Sequence, residues 1–277
     1  MQDLETRLAA RINTIRQQDP RAQHAIFGIS VVDLATGASL YAENADKLLQ
    51  PASNTKLFTT ATTLALIGAD YKFLTTIESD RHPDKRSRIT GNVFLVGRGD
   101  PNLSGRVLPY ARKTERITPH TRALEELADQ VAAAGVKVID GDVVGDDSYF
   151  VYERYGEGWT QDDLMWDYGA PVSALTVNDN IVFASIKPGE RVSARALLTL
   201  DPYTSYYSVR NLVTTSAQGT ARNIGILREP GSLDLTFWGT IALGDAGDDE
   251  ALAIEEPATA NAQFMLTLLQ QRGIVVR

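Results

Sequence analysis

Ser53-Asn54-Thr55-Lys56 places a hydroxyl and an amine at positions i and i+3 of a stretch that reads as a helix start. Side chains three apart on a helix are neighbours, so the two groups can meet. A serine hydroxyl is a weak nucleophile at neutral pH and needs an adjacent base. A lysine amine serves once its ammonium form is disfavoured, by desolvation or by the positive end of a helix dipole. Backbone N–H groups at the same helix start can stabilise an oxyanion. The chemistry implied is attack on a carbonyl, with the amine taking the hydroxyl proton. The tetrapeptide alone reads more readily as an N-cap serine followed by a solvated lysine, so its surroundings must decide.

The helix that carries the pair is expected over 53–67, after Pro51 and stopped by Gly68. Leu57, Phe58, Ala61, Leu64 and Ala65 give it a broad apolar face, which predicts a central, buried helix. Upstream, Leu4, Leu8, Ile12 and Ile15 form one stripe of an amphipathic helix over 3–18, ended by Asp19-Pro20. Alternation at Ala25, Phe27, Ile29 and Val31, the turn Asp33-Leu-Ala-Thr-Gly37 and a return over 39–43 predict a β-hairpin. Beyond Tyr71 strand-like runs dominate, at 73–77, 92–96, 136–144, 181–186, 194–200, 208–214, 223–227 and 233–242. A helix over 121–134 interrupts them, closed by Gly135. Glu255-Glu256-Pro257 then opens a last helix with Ala260, Phe264, Leu268 and Leu269 on its apolar face and Gly273 as its stop.

The chain has 277 residues, 43% of them hydrophobic, enough for two cores or for one large domain with an insertion. A formal charge of -8 argues against nucleic acid as the main partner and against a polybasic membrane anchor. The absence of cysteine excludes disulfides, Cys-ligated zinc and a thiol nucleophile. No apolar run approaches a membrane span, and Met1-Gln2-Asp3 does not open a signal peptide.

The surroundings of Ser53 resemble a known family. The stretch 48–64, LLQPASNTKLFTTATTL, is similar to the active-site helix of penicillin-binding proteins, and the upstream hairpin with Asp33-Leu-Ala-Thr-Gly37 and Leu40-Tyr41 resembles their first strands. Gly91-Asn-Val-Phe-Leu-Val-Gly-Arg-Gly-Asp-Pro101, Gly141-Asp-Val-Val-Gly-Asp-Asp-Ser-Tyr-Phe150, Asp163-Leu-Met-Trp-Asp-Tyr-Gly-Ala-Pro-Val-Ser-Ala-Leu175 with Asn178-Asp-Asn180, and Glu256-Pro257 with Arg272-Gly273-Ile274 narrow the likeness. They resemble the class C, low-molecular-mass penicillin-binding proteins, the D-alanyl-D-alanine carboxypeptidase/endopeptidases, collinearly along essentially the whole chain.

The resemblance implies an α/β fold. A penicillin-binding-protein/β-lactamase-like transpeptidase core, incomplete here, would comprise 1–69 and the return at 256–277. A large, mainly-β inserted domain would occupy 70–255, itself divisible in two. It implies cleavage of the D-Ala-D-Ala end of peptidoglycan stem peptides, or of their cross-links, in the periplasm or outside the cell. Ser53 would be acylated, by substrate and by β-lactam antibiotics alike, and Lys56 would accept its proton. From the insertion, Asp163, Tyr168 and nearby Trp159 would meet the amino end of the substrate's diaminopimelate side chain. No cofactor, metal or nucleic acid is implied.

The family's S-x-N and K-T-G motifs do not occur: no Ser has Asn two residues on, and the one Lys-Thr pair, Lys113-Thr114, precedes Glu115. The expectation is a truncated chain, whose missing C-terminal portion would supply the other half of the cleft. Residues 1–277 alone are then expected to turn nothing over. Two alternatives stay open. One is a non-catalytic peptidoglycan-binding relative or inactive fragment, and the other a β-lactamase, against which the long insertion argues. Weaker signals read as structure. Gly97-Arg-Gly-Asp-Pro101 is a turn rather than a phosphate loop, 244–250 an acidic hairpin tip rather than a calcium site, and Tyr203, Tyr206 and Tyr207 a packing patch. His24, His82 and His120 lack ligand spacing.

Overall fold

A computed structural model describes residues 2–101, 103–106 and 118–277; Lys113-Thr114 lies outside them. The chain divides after Tyr71 into two compact units.

The first unit holds α1 (Gln2–Gln18), the antiparallel hairpin β1 (Ile29–Val32) and β2 (Ser39–Glu43), and α2 (Thr55–Leu66). Asp33 makes the hairpin turn: its Oδ1 accepts the backbone N–H of Ala35 and Thr36, which holds the carboxyl below its ordinary range. Gly37 closes the turn at φ +73°, a conformation that costs a residue with a Cβ. Arg16 of α1 pairs with both carboxylate oxygens of Glu43 at 2.7 Å, and the Tyr41 hydroxyl donates to the same group at 2.7 Å.

No described residue of this unit is buried. The expectation of a buried α2 therefore fails: Leu57 is 71% and Phe58 76% exposed. Apolar periodicity tells which face of a helix seeks cover, and within residues 1–71 no second layer supplies it. The helix begins later than expected, at Thr55, which leaves Ser53 in the turn before it.

The second unit carries the core. β3 (Thr76–Ser79), β5 (Val93–Val96) and β7 (Val143–Asp146) form one sheet. β4 (Arg88–Thr90), β6 (Val138–Asp140) and β15 (Val275–Val276) form another, wholly parallel. β8 (Ile181–Lys187) lies between β9 (Leu197–Asp201) and β14 (Asp248–Ala253), antiparallel to both. β13 (Asp234–Ala242) takes β10 (Ser208–Asn211) and β11 (Thr214–Ser216) in succession, both parallel, and β12 (Asn223–Leu227) antiparallel.

α4 (Pro257–Gln271) buries Ala260, Phe264, Met265, Leu268 and Leu269, and packs on α3 (Arg122–Ala133) and β7. Gly145 lets β7 approach it: a Cβ there would stand 2.0 Å from the Ala258 carbonyl oxygen. Residues 256–277 fall within the second unit. The run expected over 136–144 divides into β6 and β7, because Gly141 lies against the Gly91 carbonyl and turns the chain. β14 forms from Asp248-Asp249-Glu250, a poor strand sequence, because its backbone pairs with β8 in full register.

Candidate active site

Ser53 lies in a tight turn that winds into α2. Successive N–H groups of Thr55, Lys56 and Leu57 donate to the carbonyls of Ala52, Ser53 and Asn54 at 3.0 to 3.1 Å. Asn54 locks the turn from the other side, its Oδ1 accepting the Ala52 N–H at 2.9 Å. This geometry brings Lys56 back over the preceding residues, and its Nζ donates to Ser53 Oγ at 3.0 Å. The threonines that follow satisfy themselves: the Thr60 hydroxyl donates to the Lys56 carbonyl and that of Thr63 to Thr59, each at 2.8 Å. Both Ser53 and Lys56 are exposed to solvent within the first unit. A hydroxyl and an amine in direct contact at a helix start are the two parts that proton transfer and attack require.

The insertion residues fall in the second unit. Asp163 ends a 3₁₀ turn, Gln161–Asp163, and Tyr168 sits in the next, Asp167–Gly169. The two turns are joined by Trp166 N–H to the Asp163 carbonyl at 3.0 Å and Gly169 N–H to the Trp166 carbonyl at 2.9 Å. Gly169 makes this possible, since a Cβ there would meet the Asp163 carbonyl oxygen at 2.0 Å. Desolvation and then the Asp163 and Asp167 carboxylates, with a hydrogen bond to Asp163, push the Tyr168 hydroxyl upward. Tyr168 is nevertheless 67% exposed. It lines a cavity of about 480 Å3 with Arg106, His120, Asp167, Asp179 and Phe183. Trp159 has other neighbours: its indole lies over Gly156 and 5.9 Å from the Tyr155 ring. Thus Ser53 meets Lys56, and Asp163 meets Tyr168, whereas Trp159 packs locally.

Gly97 packs on the backbone of Ala174 and Leu175, and Arg98 pairs with Glu78 at 2.6 Å. Arg222 sits 2.9 Å from Asp248 and 3.9 Å from Asp245, a cation of the chain's own at the acidic tip. The His120 ring lies tilted against Phe183, centroids 4.9 Å apart, with Nδ1 3.0 Å from Asp201. Tyr206 and Tyr207 are buried edge to face, and burial raises the Tyr207 hydroxyl to about 12; Tyr203, expected in the same packing patch, is instead exposed. The sequence reading missed the group around Arg154, Arg228, Glu255 and Glu256. Its members come from distant parts of the chain, so no local pattern announces it.

Solved structures place the fold among penicillin-binding proteins. Penicillin-binding protein 4 (DacB) of Haemophilus influenzae superimposes with a TM-score of 0.70 over 90% of this chain and 51% of its own, at 18% identity. The same protein complexed with a β-lactam gives 0.61. The fold is thus a penicillin-binding-protein-like core with an inserted domain.

Sequence comparison is narrower still. The D-Ala-D-Ala carboxypeptidase 3 (S13) family matches residues 8–277, and the chain belongs to that family. A D-alanyl-D-alanine carboxypeptidase from an Actinomadura species is 31% identical over 97% of this chain and 49% of its own length. DacB of Haemophilus influenzae is 27% identical over 54% of this chain and 28% of its own. The chain spans about half or less of the length of these curated relatives.

Proposed function

We propose that the full-length protein is a serine D-alanyl-D-alanine carboxypeptidase/endopeptidase of the cell wall, acting outside the cytoplasm on peptidoglycan stem peptides. The observation that carries this reading is the 3.0 Å contact from Lys56 Nζ to Ser53 Oγ, in a chain of this family. In the reaction, Lys56 as a neutral amine takes the Ser53 hydroxyl proton while Oγ bonds to the carbonyl carbon of the penultimate D-alanine. The peptide C–N bond breaks, and the terminal D-alanine leaves with a proton returned to its nitrogen. Water then cleaves the ester. A β-lactam enters by the same attack and opens its ring on Ser53. Asp163 offers its carboxylate to the ammonium of the substrate side chain, with Tyr168 beside it and Trp159 at the edge of the segment. The remaining half of the cleft comes from a C-terminal portion outside this sequence.

The test is release of D-alanine from a stem peptide ending in D-Ala-D-Ala by the full-length protein. Ser53→Ala is expected to bring release to background, and Lys56→Ala to lower it about 100-fold or more. Residues 1–277 alone are expected to release none. Full activity in Ser53→Ala refutes the reading, and β-lactam hydrolysis without D-alanine release moves it to a β-lactamase.

A further inference from the structure

Arg228 follows β12 and turns its side chain inward, leaving the residue 8% exposed. Nη2 donates to the Leu164 carbonyl at 2.9 Å, the carbonyl of the residue that follows Asp163. The same nitrogen lies 3.3 Å from Glu255 Oε2. Nη1 donates to the Ala253 carbonyl at 2.5 Å and to the Tyr207 hydroxyl at 2.7 Å. One planar guanidinium thereby ties the turn bearing Asp163 to the end of β14 and to the residues that open α4. Neighbouring contacts run in parallel: the Ala253 N–H donates to the Met165 carbonyl at 2.8 Å, and Trp166 bridges to Leu252. Glu255 is itself braced, by the Gly231 N–H at 3.2 Å and by Arg154 at 3.6 Å.

We infer that Arg228 is a positioning residue for substrate-amine recognition, acting on Asp163 and Tyr168 through the Leu164 carbonyl. The inference rests on the reading of Asp163 as the acceptor of that amine. A fork of fixed donors can hold Leu164, Ala253, Glu255 and Tyr207 in one geometry. A lysine is a single charge on a flexible stem and cannot. Asp163 sits in a short 3₁₀ turn whose backbone bonds, to the Thr160 carbonyl and from the Trp166 N–H, stay within the turn segment, and Arg228 anchors that segment to β14 through the Leu164 carbonyl. A carboxylate displaced by about 1 Å loses much of the discrimination it provides.

The experiment uses the full-length protein and two stem peptides, one with the side-chain amine free and one with it acetylated. The quantity read is the ratio of their kcat/KM values. Arg228→Lys is expected to lower that ratio about tenfold or more, through KM of the free-amine peptide, and Asp163→Asn to lower it similarly. The double variant is expected to fall no further than either. Tyr207→Phe removes another partner of Arg228 without touching Leu164 and is expected to keep the ratio. If Arg228→Lys keeps the parent ratio while Asp163→Asn collapses it, the positioning role is refuted and the reading of Asp163 stands. If Asp163→Asn keeps the ratio, that reading fails. An equal fall in Tyr207→Phe and Arg228→Lys shows a merely structural network and also refutes the role. Should Arg228→Lys not fold, Glu255→Gln loosens the guanidinium and must lower the ratio; an unchanged ratio there refutes it.

Discussion

The two units treat burial in opposite ways. Residues 72–277 surround a continuous core that includes Leu95, Ile139, Leu175, Phe237, Met265 and Leu269. Residues 1–71 bury no described side chain, yet they hold the Ser53–Lys56 pair and an apolar helix face of Leu57, Phe58 and Leu64. The proposed recognition residues Asp163 and Tyr168 thus belong to the unit with the packed core, and the proposed nucleophile Ser53 to elements held by local hydrogen bonds and one shared carboxylate. Local geometry can be correct without a core, because a helix start is specified within a few residues. Rigidity cannot, because it requires buried contacts.

Amide hydrogen exchange on residues 1–277 should show the contrast at its largest. Amides of α4 and β13 are expected to exchange more slowly than those of α2 by about three orders of magnitude or more. Equal protection would break the comparison. Side-chain truncation comes next. Leu269→Ala is expected to cost about 2–5 kcal/mol in denaturant unfolding, and Phe58→Ala within about 0.5 kcal/mol in the same chain. A large loss from Phe58→Ala would reveal a covering layer over α2.

Glycines sharpen the difference further. Gly145→Ala puts a Cβ against the Ala258 carbonyl and should destabilise the second unit by about 1–3 kcal/mol. Gly68→Ala meets open space and should cost only about 1 kcal/mol for its φ of +88°. The smallest effect is electrostatic. The Tyr41 hydroxyl, and after it Arg16, hold the Glu43 carboxyl below its ordinary 4.5. A depressed carboxyl stabilises the fold above that ordinary value and loses the contribution as pH falls through the lowered one. Acid titration followed by circular dichroism should therefore show a loss below about pH 4.5 that Glu43→Gln reduces, while the share of Asp33 remains.

Much of this was legible beforehand because it is local. The hairpin around Asp33–Gly37, β12, β13 and the last helix follow from turn residues and periodicity. Ser53 and Lys56 follow from a spacing that a helix start turns into contact. What escaped depends on distant partners. β14 is a strand because β8 pairs with it, not because of Asp248-Asp249-Glu250. Arg228 reaches Leu164 across 64 positions, a distance no periodicity encodes. The exposure of α2 escaped for the converse reason, since its pattern promises a cover that residues 1–71 do not contain.

Whether Ser53 is the acylated residue can be read directly by treating the full-length protein with penicillin and locating the adduct by peptide mass spectrometry. The adduct should lie on the peptide containing Ser53, vanish in Ser53→Ala and form far more slowly in Lys56→Ala. An adduct on another serine, or one that survives Ser53→Ala, would contradict the assignment of the nucleophile.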